Sequence, residues 1–409
     1  MEAVVSLKTL LSGEGRRDPY AFYRRLHALG PVAPLDAARD RHHAVVHGYD
    51  AVSAVLRSSG FGMVDAAYMD ARQSQWREHS ALRTLHGSIF LTNGPDHARV
   101  RRLFSQVFTP RRITALEPAV ERLIGARLDH LEELGAGGRP VDFMAEFALP
   151  LPSDVIGELL GVPTDDRAWF PQRVATFGAI VELGDAKWKY LNAANRAADE
   201  LTGYFAVLVD KRRVEPADDL LSGLVQMQAA ESERISDDEL LANLITLFNA
   251  GFVTTTHLFG NGLTLLLEEP ARRAELLADP EVVPAYVEEI LRYEPPVHFG
   301  IRQAYRDTEL EGVPLHEGDT VVVLLGAANR DPGRFPDPDV FDPHRPDNVP
   351  LSFGAGLHYC LGAALSRLEG RLALPMLLSR FPKLAIAGEP GERSRLGLRG
   401  YQSLPVTVS

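Results

Sequence analysis

The sequence predicts a mostly α fold with small β-sheets, and three observations carry that expectation. Apolar residues recur at three-to-four-residue spacing through most of the 409 residues. One such stretch, opened by Ser236, continues without a break to about Glu268. Strand-like runs are few and short: His43–His47, then Thr320–Leu325 and a piece near the C-terminus.

Composition is that of an ordinary soluble globular protein, 45% hydrophobic and 24% charged. No internal repeat, low-complexity tract or linker divides the chain, so 1–409 reads as a single domain. The net charge of −12 argues against nucleic acid or an anionic membrane as partner. Met1–Leu11 is too short and too mixed for a secretory signal, with Glu2 and Lys8 inside it. One cysteine fits a reducing compartment. A cytoplasmic protein is expected.

In chain order, Asp18–Leu29 forms an amphipathic helix pattern, His43–His47 a strand and Asp50–Leu56 a helix. From Gly60 to Phe90 the pattern dissolves into polar residues with scattered Met63, Tyr68, Trp76 and Ile89, which predicts a long irregular stretch of the functional or mobile kind. His42, His43 and His86 show no metal-ligand spacing and read as surface residues. A basic helix spans Ala98–Val107 and a new start follows Thr109-Pro110. Helical periodicity then covers Ile113–Leu134, Pro152–Leu160, Asn192–Lys211 and Asp218–Ala229, with Gly135–Gly138 as a turn.

Ser236-Asp237-Asp238-Glu239 is a capping box. The helix it opens is about 48 Å long at 1.5 Å per residue. Asn243, Asn249, Asn261, His257 and the run Thr254–Thr256 would be costly in lipid, so the helix is expected to cross a large protein core instead. Inside it, Gly251 weakens the helix by about 1 kcal/mol relative to alanine, which points to a packing or ligand reason. Thr254 can bond back to the carbonyl of Ala250. Further on, Glu289 and Arg292 sit three apart between apolar Tyr286, Ile290, Leu291 and Tyr293, before Pro295-Pro296 ends the helix. Such a pair in isolation is a solvated surface pair worth a few tenths of a kcal/mol.

The only cysteine, Cys360, lies in Phe353-Gly354-Ala355-Gly356-Leu357-His358-Tyr359-Cys360-Leu361-Gly362. It cannot be half of an internal disulfide or a multi-thiolate zinc site. Gly354 and Gly356 allow a tight loop with positive φ, and Ala363–Leu374 then reads as a helix. A cysteine at a helix N-terminus is favoured as thiolate. Four chemistries remain open at that point. They are an inert core thiol, a phosphate loop (which lacks its third glycine, Tyr359 standing there), a nucleophile, and a single axial ligand for haem iron.

The ten-residue pattern Phe-Gly-x-Gly-x-His-x-Cys-x-Gly resembles the haem-binding signature of the cytochrome P450 family. Ala250-Gly251-Phe252-Val253-Thr254 resembles that family's oxygen-activating Ala-Gly-x-acid-Thr, with Val253 in the acid's place. Glu289-x-x-Arg292, with Arg345 after Phe341-Asp342-Pro343, resembles its buried charged triad. The likeness extends through Ala327–Asp331 and Phe335–Pro338 and covers nearly the whole chain.

The resemblance implies a cytochrome P450-like fold with haem b between the long central helix and the cysteine-loop helix. Cys360 would be the axial thiolate, and Phe353, Gly354 and Gly362 would shape its loop. His97, Arg101, Arg302 and His358 would meet the haem propionates. Thr254 would be the catalytic residue that helps deliver protons, and Glu289, Arg292 and Arg345 would be structural. Thr246, Asn249, Phe252 and Val253 are candidate pocket residues, with His298, Phe299, the Gly60–Phe90 stretch, Tyr401 and Gln402. The polarity of Asn249 and His298 hints at an oxygenated substrate.

The implied activity is that of a soluble, monomeric bacterial monooxygenase, which hydroxylates or epoxidises a small-molecule natural-product intermediate of polyketide, macrolide or peptide-like kind. It would use O2 and electrons from a ferredoxin and its reductase. The basic cluster Arg99, Arg101, Arg102, Arg111 and Arg112, with Arg367 and Arg371, is a candidate ferredoxin-docking face. Two alternatives stand beside it: without the acid at Val253, a peroxide-using or non-reductive haem-thiolate enzyme, and, ranked last because Cys360 is present with its full loop, a catalytically silent relative that activates a partner.

Overall fold

The computed structural model describes residues 5–36, 40–182, 189–230, 235–391 and 395–408, so the first residues of Met1–Leu11 lie outside it. The chain divides into two compact units. One comprises Met1–Val64, His257–Cys360 and Gly388–Leu404, the other Asp65–Thr256, Leu361–Ala387 and Pro405–Ser409.

The first unit is built on a five-stranded sheet in the order Val32–Pro34, Ala44–Val46, Thr320–Val323, Gly300–Ala304, Phe61–Gly62. Ala44–Val46 pairs parallel with Val321–Val323, and Thr320–Val323 pairs antiparallel with Gly300–Gln303. Both central runs are wholly buried and apolar in succession, as strands covered on both faces require. His42 binds Thr320 Oγ1 at 2.9 Å and exposed His43 meets Asp319 at 3.1 Å. Helices Tyr20–His27, Tyr49–Arg57 and Val283–Tyr293 belong to the same unit.

Val283–Tyr293 carries the Glu289–Arg292 pair, and both side chains are fully buried. Arg292 forks onto Glu289 with two bonds of 2.7 Å and donates to the carbonyls of Asn329, Pro338 and Val340. Glu289 also accepts from the Asp342 backbone N–H at 2.7 Å and from Asn348 at 3.0 Å. Arg345 stands 3.9 Å from Glu289, and its guanidinium serves chiefly the carbonyls of Pro336, Asp337 and Val340. The third member thus acts more as a carbonyl clamp than as an ion-pair partner.

The second unit holds most of the long helices, among them Glu117–Gly135, Leu191–Val214 and Ala363–Arg380, and a three-stranded sheet of Val141–Asp142, Pro405–Thr407 and Ala385–Ile386. The capping box forms as expected. The Ser236 N–H donates to Glu239 Oε2 at 2.7 Å, and the Glu239 N–H to Ser236 Oγ at 3.1 Å. The helix Asp237–Glu268 that follows has 32 residues.

Two expectations need correction. Gly60–Phe90 is not irregular: it contains Phe61–Gly62 of the sheet, helices Ala66–Arg72 and Ser80–His86, and a tight turn of 3-10 type at Ser74–Glu78. Elements of seven residues or fewer are too short for apolar periodicity to declare itself. His86 is not a surface residue. It is buried beneath Trp76, the two rings 5.0 Å apart. Strands are also more numerous than the two or three foreseen, because most are pieces of two to four residues such as Phe61–Gly62, Thr308–Leu310 and Val313–Leu315.

Glu289→Gln leaves Arg292 charged and partly unpaired in the core, so denaturant unfolding should show a loss of about 3–5 kcal/mol. A second expectation concerns His47, which is fully buried and has no partner on either ring nitrogen among the described residues. Burial, helped by His27 at 5.5 Å, pushes its pKa from 6.5 down to about 3. Folded His47 therefore stays neutral where the unfolded ring takes a proton. Its contribution is complete above pH 6.5 and is lost as pH falls toward 3, by up to about 1.4 kcal/mol per pH unit. Unfolding curves across that range should be flatter in His47→Leu.

Candidate functional site

In the first unit the turn Leu351–Phe353 leads into the cysteine loop. Gly354 and Gly356 have φ of +68° and +69°, and a Cβ on Gly356 would lie 2.4 Å from the Leu56 carbonyl oxygen. Only glycine lets the loop lie so close against helix Tyr49–Arg57. The Cys360 N–H donates to the Phe353 carbonyl at 2.9 Å, and the Phe353 and Tyr359 rings meet edge-on at 6.4 Å. Cys360 itself is exposed and His358 half-buried. Gly362 is the residue before helix Ala363–Arg380, and its carbonyl accepts from the Ser366 N–H at 2.9 Å.

Arg302 stands on strand Gly300–Ala304 and is 8% exposed. One N–H of its guanidinium donates to the Ile301 carbonyl at 2.9 Å, and among the described residues no carboxylate lies within ion-pair distance. Burial pushes its pKa down to about 10, so it remains charged at neutral pH. A buried cation without a counter-ion is the environment a propionate would complete.

In the second unit, helix Gly94–Val107 places buried His97 and half-buried Arg101 four residues apart on one face. Burial first, and then the Arg101 charge, hold the His97 pKa below its ordinary value. An added anion would relieve both effects. The same unit holds Thr254, whose hydroxyl donates to the Ala250 carbonyl at 2.8 Å, and Thr256, which repeats that bond onto Phe252 at 3.0 Å. Within the first unit the residues therefore suit an iron porphyrin: a thiolate source on a glycine-opened loop, and in Arg302 a desolvated cation for a carboxylate.

Of the expected pocket residues, Phe252 is fully buried and Val253 half-buried. Thr246 and Asn249 are 5% and 9% exposed, and Thr246 Oγ1 and Asn249 Oδ1 find no hydrogen-bond partner among the described residues. Gly251 has a packing reason, since a Cβ there would lie 3.2 Å from Ile156. Phe299, Tyr401 and exposed Gln402 belong to the first unit. His298 departs from expectation. It is fully buried, its Nδ1 is 2.9 Å from the Tyr23 hydroxyl, and a Cβ on Gly326 would touch it. That is the setting of a core histidine, not of one turned toward a substrate.

The basic cluster is also partly neutralised. Arg99 binds Glu239 at 2.6 Å, Arg112 meets Asp218 at 3.4 Å and Arg371 meets Glu117 at 3.1 Å. Sequence reasoning missed Glu369 altogether. It is buried on helix Ala363–Arg380, and its signal was available: an acid four residues from Leu365 and from Ala373, on the apolar stripe. It also missed the contact of Thr255 Oγ1 with Ser366 Oγ, 3.4 Å apart.

Comparison with known proteins identifies the family. A family model described as cytochrome P450 matches residues 7–279 and 273–390. Cytochrome P450 monooxygenase PikC of Streptomyces venezuelae is 38% identical over 393 residues, 95% of this chain and 91% of its own. The 6-deoxyerythronolide B hydroxylase of Saccharopolyspora erythraea is 36% identical over 399 residues, 96% of each chain. The crystal structure of P450BioI with an acyl carrier protein ligated to hexadec-9Z-enoic acid superposes with a TM-score of 0.89 at 32% identity, over 97% of this chain and all of that one. Among the described residues no helix is long and apolar enough to cross a membrane. By family match and by relatives aligned over almost its full length, the chain belongs to the cytochrome P450 family and is a cytochrome P450 monooxygenase.

Proposed function

We propose that this monooxygenase works in the cytoplasm as one haem-thiolate domain, hydroxylating or epoxidising a polyketide, macrolide or peptide-like intermediate with O2 and ferredoxin-derived electrons. Cys360 is proposed as the axial ligand of haem b, with Phe353, Gly354 and Gly362 shaping its loop. Arg302, His97, Arg101 and His358 are assigned to the propionates. The observation that carries the assignment is Arg302, a nearly buried guanidinium with no carboxylate partner among the described residues. When bound, the haem supplies the oxygen chemistry, helped by electron density from its thiolate.

The chain's own residues orient the substrate and move protons. Thr246 Oγ1 and Asn249 Oδ1 are buried polar atoms without a hydrogen-bond partner among the described residues, which favours a substrate bearing oxygen or nitrogen. Phe252 and Val253, with Phe299, are proposed to exclude water. The hydroxyl of Thr254, now bonded to Ala250, is the proposed proton carrier at this turn. Val253 has no group that could hold a proton. Support for the substrate class comes from relatives such as the 6-deoxyerythronolide B hydroxylase. The Arg101, Arg102, Arg111 and Arg367 surface remains the proposed donor-docking face.

The reduced carbon-monoxide adduct should show the red-shifted Soret band of thiolate ligation, and Cys360→Ala should lose it. An unshifted wild-type band would remove the assignment. Thr254→Ala should lower product formed per oxygen consumed by about tenfold or more; intact coupling would place the relay elsewhere. Charge reversal at Arg102 and Arg111 should slow ferredoxin-supported turnover, less so at high salt. Unchanged rates would rule out that docking face.

A further inference from the structure

Two irregular segments of the first unit carry candidate pocket residues, and both are held by the chain around one short helix near the N-terminus. Phe299 follows helix Val283–Tyr293 in a stretch, 294–299, that belongs to no helix or strand. Tyr401 and Gln402 lie in another such stretch, just after Arg399. Backbone without a ladder of its own is placed by the bonds it makes elsewhere. For the first segment these come from helix Tyr20–His27. The Tyr20 hydroxyl donates to the Tyr293 carbonyl at 3.1 Å, and the buried Tyr23 hydroxyl meets His298 Nδ1 at 2.9 Å. The His298 ring is seated against Gly326, where a Cβ would fall 2.6 Å from Nδ1, and Phe299 is its neighbour in the chain. Arg399, fully buried, ties the second segment to the first. Its Nε donates to Glu294 at 2.7 Å and its backbone N–H to the Pro296 carbonyl at 2.7 Å. The other two arms of the guanidinium donate to the carbonyls of Arg16 and Arg17, which lead into the same N-terminal helix. On the far side, Gly400 rests on His257 of the long helix, where a Cβ would lie 2.0 Å from Nδ1.

We propose that Tyr23 and Arg399 are positioning residues of this monooxygenase. With helix Tyr20–His27 as their common frame, they set where Phe299, Tyr401 and Gln402 stand against the substrate. The proposal rests on the pocket reading above. Neither residue acts on the substrate itself: Tyr23 works through His298, and Arg399 through the turn it precedes. A displacement of about 1 Å in a group that orients a substrate can cost about a hundredfold in rate. Anchors remote from the chemistry therefore decide how a ligand is seated.

Two iron-coordinating probes test this on the holoenzyme without turnover. Imidazole is too small to reach far beyond the iron, whereas 4-phenylimidazole lays a phenyl ring against the pocket wall. Tyr23→Phe removes one hydroxyl, and Arg399→Lys keeps a cation beside Glu294 while losing the fork onto Arg16 and Arg17. Each should raise the Kd of 4-phenylimidazole by about fivefold or more and leave that of imidazole within about twofold. A change in stability alone does not move the ratio of the two affinities, since both probes bind the same iron. In a His298→Leu background Tyr23→Phe should add nothing, because its route is gone. Wild-type affinities in both variants, or equal weakening of both probes, overturns the positioning role. Should Arg399→Lys fail to fold, Tyr23→Phe decides alone. Phe299→Ala tests the pocket reading itself: a wild-type 4-phenylimidazole affinity there defeats that reading and this proposal with it. Weakened binding in Phe299→Ala with unaffected anchor variants defeats the positioning role only.

Discussion

The first unit depends on one buried guanidinium. Arg292 has five N–H groups, and all five are spent: two on Glu289 and three on the carbonyls of Asn329, Pro338 and Val340. Those carbonyls lie in a stretch with almost no regular structure, where backbone oxygens lack ladder partners. A buried ion pair is stable only when its remaining valences are satisfied, and here backbone supplies them. The consequence reaches the cysteine loop. Asn329, fixed by its carbonyl, accepts the Leu351 N–H at 2.7 Å and donates to Ser352 at 2.8 Å, while Ser352 donates to the Leu291 carbonyl at 2.6 Å. The turn that precedes Gly354 is thus tied back to the helix bearing the ion pair.

The long helix follows a similar rule. Its polar residues are costly in a core unless each has work. In the second unit Asn243 receives the Ile89 N–H at 2.8 Å and returns a bond to the Glu239 carbonyl. In the first, Asn261 donates to the carbonyls of Glu294 and Arg399. Those residues anchor loops against a helix that has no loops of its own. Thr246 Oγ1 and Asn249 Oδ1 have no such partner among the described residues, and the Oδ1 of Asn261 shares that condition while its amide N–H groups anchor the loops.

The regular parts of this architecture were legible because they depend on local rules. Helix periodicity, the Ser236–Glu239 capping box and the Thr254 back-bond are set within four residues, and each was read directly and found. The cysteine loop was legible for a related reason: its glycines and cysteine act through spacing alone. What escaped depends on distant chain. Helices of seven residues at Ala66 and Ser80 owe their existence to packing, as with Trp76 pressed against His86. His86 and His298 are amphipathic, and only the fold decides whether such a ring meets water or a neighbour such as Tyr23. Arg345 was placed correctly in sequence, but the identity of its acceptors, carbonyls more than carboxylate, is a tertiary fact.

Arg302 and Glu369 show how two desolvated charges can mean opposite things. Each is buried without a partner of opposite sign among the described residues. A carboxyl has a way out of this predicament, because protonation removes its charge at modest cost and leaves it stable as a neutral acid. Guanidinium does not. Even with burial lowering its pKa to about 10, Arg302 keeps its charge at neutral pH. The acid can thus stay buried by giving up its charge, whereas the arginine stays a buried cation, which is why a haem propionate is proposed for it. Both conclusions follow from which charge state each group can abandon.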